Sequence, residues 1–149
     1  MTSILRLCAT IVPVVLLASL PGRAAAFDAQ RVLHHCTLKP REFMVFLIRD
    51  RHIANRPDKI DQAVSVFNIR PDKPLTMHGM PVAAVFGFAE NSVLFEKDPE
   101  EAPAIHFGAL FNLPLAEVNR RWPQPRNPRV SIYAFGEKQT AVVCNLTPG

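Results

Sequence analysis

Apolar positions along this chain fall into short runs, and the spacing within each run separates helices from strands. Asp28 is suited to accept hydrogen bonds from the free N–H groups of a first helical turn, so residues 29–36 read as a short helix that Pro40 interrupts. Residues 42–48 (EFMVFLI) are densely apolar without alternation, which predicts a strand buried on both faces, with a short core helix as the alternative. Residues 49–61 are charged, contain Arg56-Pro57-Asp58, and are expected as a surface connection. Residues 63–69 (AVSVFNI) have strand character and run into Arg70-Pro71-Asp72-Lys73-Pro74, a turn whose prolines fix φ and withhold donors. Residues 75–78 are then expected to pair back as a hairpin partner.

Further apolar pieces follow at 82–88 and 92–96, before an acidic loop at 98–103. Residues 105–111 lead into the clearest helical signal. Asn112 is its expected cap and Pro114 sits in the first turn, while Leu115, Val118 and Trp122 share one face at i, i+3 and i+7; Pro123 ends it. Residues 130–135 (VSIYAF) and 140–146 (TAVVCNL) flank Gly136-Glu137-Lys138-Gln139 and predict a closing hairpin. The sum is an α+β domain, with an antiparallel sheet of about four to six strands and two or three short helices. An echo between residues 80–85 (MPVAAV) and 113–118 (LPLAEV) suggests a duplicated helix-and-strand unit.

The first 26 residues stand apart from this pattern. Arg6 precedes an apolar run over 7–20, Pro21 and Gly22 break it, and Ala24-Ala25-Ala26 supplies the small residues of a cleavage site. The run is shorter than the roughly 20 residues a spanning helix needs. Residues 1–26 are therefore expected to be a cleavable signal peptide. Residues 27–149 then form one exported domain without an anchor, periplasmic in a bacterium and secreted otherwise.

Export changes the charge and the cysteine count. Without Arg6 and Arg23, the 17 lysines and arginines fall to 15 against 13 acids, so the formal charge drops from +4 to +2. That is too small to imply a nucleic-acid partner. Cys36 and Cys144 remain, and in an oxidising compartment they are expected to form a disulfide. Closing a loop of that length would stabilise the fold by roughly 4–5 kcal/mol in the chain-entropy model.

Recognisable catalytic signatures are missing from the chain: it has no G-x-S-x-G, H-E-x-x-H, P-loop or dinucleotide fingerprint. The serines beyond the leader, Ser65, Ser92 and Ser131, do not sit in a nucleophile elbow. The stretch from Arg120, Arg121 and Trp122 through Arg126 to Arg129 combines arginine, tryptophan and stiff proline, the residue types of a docking surface. Met77, His78 and Met80 offer thioether and imidazole donors suited to copper(I). The favoured reading is a non-catalytic binding module acting on another exported or envelope protein, as an inhibitor, immunity-type protein or accessory factor, with no cofactor. The alternatives are a carrier of a small ligand or copper, and a small hydrolase of the cell envelope.

Overall fold

Each helix starts where a side chain or a proline answers the first free N–H groups. The computed structural model describes residues 27–61, 64–89, 94–95, 105–123 and 126–146. The expected leader at 1–26, the acidic loop at 98–103 and most of the piece at 92–96 lie outside them. Helix α1 spans Ala29–His35, and the Asp28 carboxylate accepts from the Arg31 N–H at 3.0 Å. Helix α2 spans Pro40–Arg49, where a buried strand was the first expectation. Pro40 is not an interruption but the opening position, where a missing donor costs nothing. Glu42 accepts from the Lys39 N–H at 3.0 Å. Phe43, Met44 and Leu47 point inward while Val45 is 41% exposed, a one-sided burial that a strand buried on both faces would not give. Helix α3 spans Leu115–Arg121 and is entered through Pro114, whose carbonyl accepts from Glu117 and Val118. Asn112 is not its cap; the Asn112 side chain accepts from Gln139 Nε2 at 2.9 Å.

Six strands form the main sheet: β1 (Lys59–Asp61), β2 (Val64–Asn68), β5 (Ala84–Phe88), β6 (His106–Phe111), β7 (Val130–Gly136) and β8 (Gln139–Asn145). Their order is β1-β2-β5-β6-β8-β7, with every pairing antiparallel. Residues 75–78 do not pair with β2. Instead β3 (Thr76–Met77) and β4 (Met80–Pro81) make a separate two-stranded ribbon. Its connecting residues His78 and Gly79 have φ of +49° and +71°, the sign that a two-residue I′-type turn demands. The echoed segments differ in structure: residues 80–85 are extended and residues 113–118 enter α3, so no helix-and-strand unit is duplicated.

Alternation along the strands sends side chains to two faces. Phe67, Val85, Phe107, Ala109, Phe111, Val142 and Cys144 meet the helices, together with Leu33, Phe43, Leu47, Val118 and Trp122. Val66, Ala84, Phe86, Leu110, Ala141 and Val143 form a second apolar cluster on the other face, and all are less than 10% exposed. The three helices contribute only to the first cluster. The second face is covered by curvature: one cavity is lined by Asp61 of β1 at one sheet edge and by Tyr133 and Phe135 of β7 at the other. Small residues permit that curl. The Phe86 ring lies over Gly108, where a Cβ would come 2.5 Å from Phe86 Cζ and closer still to the Val142 carbonyl oxygen. A register shift between Ala134 and Gly136 adds the local bend of a bulge to β7.

Cys36, the left-handed C-terminal cap of α1, is bonded to Cys144 of β8 with Cα atoms 5.6 Å apart across 108 residues. The bridge fastens the first helix to the strand next to the β7 edge of the sheet. Replacing both cysteines by alanine is expected to cost about 2–5 kcal/mol in urea unfolding, and an unchanged midpoint would contradict that role. Gly108→Ala should cost about 1–3 kcal/mol or more through its clash with the Val142 carbonyl oxygen and the Phe86 ring, whereas Gly136→Ala, with nothing within 4 Å, should be near neutral in the same assay.

Candidate functional site

The concave face of the sheet carries two adjoining hollows of about 240 Å³ each. Val66, Leu110 and Phe135 line both. The first is completed by Val64, Phe86, Tyr133, Asp61 and His106, and the second by Ala84 with Lys59, Asn68, Asn112 and Gln139 among its polar residues. An apolar floor thus runs between two polar ends. Tyr133 and Phe135 are 45% and 43% exposed and lie two residues apart on the same face of β7, beside the apolar floor. They arise from the same alternation that turns Val130 and Ile132 toward the helices. Desolvation pushes the Tyr133 phenol above its ordinary range, so it stays neutral at physiological pH and can donate or accept a hydrogen bond. Asp61 is the one acid lining either hollow among the described residues, and Lys59 Nζ sits 2.9 Å from its carboxylate. Both ends of that pair are exposed to water, so its energetic weight is small.

β7 is also one of the two edge strands of the sheet, unpaired on its outer side among the described residues. Its seven residues, VSIYAFG, carry no charge and no proline. Sheet edges are ordinarily protected by lysine, proline or covering segments, because unpaired N–H and C=O groups invite another strand.

A second cluster lies on the helix side, at the tip of the β3–β4 ribbon. Gln30 and His34 are four residues apart on α1 and so share a face. Gln30 Oε1 accepts from the His78 N–H at 2.6 Å. The His34 and His78 rings are 6.1 Å apart, and Trp122 lies 4.6 Å from His78 and 6.2 Å from His34 between ring centres. His34 Nδ1, His78 Nε2 and Trp122 Nε1 are all buried without a hydrogen-bond partner among the described residues. Burial, and then the neighbouring His34, hold His78 below its ordinary range, so its ring is neutral at pH 7.

The residues singled out in the sequence are distributed as follows. Trp122 is 2% exposed and packs in the core at the end of α3, so its indole is closed to a partner. Arg120 and Arg121 both pair with Glu117, Arg126 reaches Asn119, and the Arg129 N–H donates to Asn127 Oδ1. Since α3 packs against the helix-side core, this stretch lies on the side of the sheet away from the two hollows. Met77 and Met80 are fully buried in that same core, while His78 is half-buried between them at the turn. The groove itself was not anticipated from the sequence. Its one advance signal was the uncharged run VSIYAF, read only as a strand.

Among the described residues no helix is long and apolar enough to cross a membrane, and no group of three or more His, Cys, Asp or Glu side chains is arranged to hold a metal. No family model matches the chain, and no match emerges among curated proteins or solved structures.

Proposed function

We propose that the chain is a small exported binding module that docks an extended segment of a partner protein along the concave face of its sheet. The observation that carries this reading is the pair of adjoining apolar hollows sharing Val66, Leu110 and Phe135. Each, at about 240 Å³, is smaller than the roughly 300–1,000 Å³ of sites for drug-sized ligands. Each suits one apolar side chain. An extended peptide turns alternate side chains to the same side at intervals of about 7 Å, so residues i and i+2 of a partner can fill neighbouring hollows. The uncharged edge of β7 supports the same occupant, because an incoming strand finds backbone donors and acceptors there.

The disulfide supports an oxidising compartment and hence export. Carboxylate-pair hydrolysis draws no support from this face, where Asp61 has Lys59 rather than a second acid beside it. The groove replaces the arginine-rich stretch as the principal docking surface, since that stretch has its tryptophan in the core and two of its arginines paired with Glu117.

Selection of a random decapeptide library on the disulfide-bonded protein tests the proposal. Enriched peptides should carry apolar residues at i and i+2. Tyr133→Asp together with Phe135→Asp should weaken their binding by at least thirtyfold, about 2 kcal/mol, the cost of losing one aromatic anchor. Arg120→Glu with Arg121→Glu should leave it within twofold. Peptides that lose binding on the arginine change and not on the aromatic one would overturn the groove as the docking site.

A further inference from the structure

The second cluster supports an inference that does not depend on the concave groove. His78 occupies the first turn position of the β3–β4 ribbon at φ +49°, a region that residues other than glycine adopt only under strain. Asparagine or glycine serves a turn of this kind with less strain. The Gln30 side chain holds the His78 N–H at 2.6 Å, and Arg121 Nη1 donates to the Gly79 carbonyl at 3.4 Å, so the turn is gripped from both α1 and α3. The result is a strained histidine whose ring is presented to a second histidine. Strain of this sort persists where the surroundings over-determine it, as they do at ligand sites.

We propose that His34 and His78 together bind a soft monovalent cation, copper(I) or its analogue silver(I), in a two-imidazole site walled by Trp122. Three observations select this class of ion. First, His34 Nδ1 and His78 Nε2 are both buried and neither has a partner among the described residues, although buried imidazole nitrogens ordinarily have one. Second, the ring separation is suitable. Two nitrogen–metal bonds of about 2 Å plus two ring radii of about 1.1 Å span about 6 Å when the metal lies in line between the rings, and the rings are 6.1 Å apart. Third, the ligand supply is short. Zinc would require four donors in a tetrahedron, and no group of three His, Cys, Asp or Glu side chains is present among the described residues. A d¹⁰ monovalent ion is satisfied by two. It also carries a single charge, which lowers the penalty of placing it beside a buried indole and two buried thioether side chains, Met77 and Met80.

Binding forms two dative bonds from imidazole lone pairs and breaks none within the protein. No electron is transferred, and the ion arrives and leaves as the monovalent species. The alternative occupant of the same space is a buried water joining the three unpartnered nitrogens.

Trp122 is the only tryptophan, so its fluorescence reports on this site alone. Silver(I) is titrated into the full chain carrying Cys8→Ser, which removes the one cysteine outside the disulfide. The expected result is quenching that saturates at one equivalent. His78→Asn, which keeps a side chain tolerant of positive φ, and His34→Gln should each weaken the affinity at least tenfold. His35→Gln, on the exposed side of α1, should leave it within twofold. Circular dichroism checks that each variant is folded. X-ray absorption of the unmutated site loaded with copper(I) needs no ligand variant, and should show two nitrogen neighbours at the short distance of a two-coordinate ion. Absence of stoichiometric quenching would leave the water as the occupant and overturn the proposal. Binding that survives both histidine changes, or a copper shell of four ligands, would overturn it equally.

Discussion

A six-stranded sheet with apolar side chains on both faces needs cover on both, and the helices of this protein contribute to one core only. Everything distinctive about the fold follows from that shortage. On the helix side, Phe43, Leu47, Val118 and Trp122 meet Phe107, Phe111 and Val142 in an ordinary two-layer core. On the other side Val66, Phe86, Leu110 and Val143 are buried because the sheet curls and brings its first and last strands over one cavity. The curl requires small residues at its centre. Gly108 lets the Phe86 ring lie flat across β6, and Ala84 and Ala141 occupy neighbouring positions paired to Leu110. Curvature leaves a groove where a second layer would otherwise sit. The same constraint that shapes the fold therefore leaves Tyr133 and Phe135 exposed beside an apolar hollow.

The disulfide and the histidine cluster meet on α1. This helix has only seven residues, too few to be stable alone, so its position is set by its contacts. Cys36 fastens its C-terminal end to β8 through Cys144, and Asp28 closes its N-terminal end. Between these anchors, Gln30 and His34 face the β3–β4 turn. A covalent tie near His34 limits how far its ring can drift from that of His78. The disulfide and the His34–His78 contact are thus both held by α1.

The legible parts of the fold were those fixed by local chemistry. Asp28 announced α1, Gly136 to Gln139 announced the β7–β8 hairpin, and the pairing of Cys36 with Cys144 followed from the cysteine count. The run EFMVFLI misled because apolar density outweighed its cap signals. Pro40 at the first helical position and Glu42 two residues later are the marks of a helix start, and they matter more than the count of apolar residues. Residues 75–78 look like a partner for β2, yet His78 and Gly79 form a turn tight enough to fold the chain back on itself at once. The concave groove was not legible at all. It depends on how strands distant in sequence are brought together by curvature, and no local pattern encodes that Asp61 and Tyr133 line one cavity. Trp122 shows the converse: its neighbours suggest a docking loop, but its i+7 spacing from Leu115 had already placed it on the buried face of α3.

In the free protein the two edges of the sheet converge over an apolar groove. Nuclear Overhauser contacts in solution test it most directly. The Phe135 ring of β7 lines both hollows together with Val66 of β2 and Leu110 of β6. Contacts from the Phe135 ring protons to the methyl groups of Val66 and Leu110 are the predicted result. Phe135 contacts confined to its immediate neighbours on β7 and β8 would mean an open sheet, and would contradict the account.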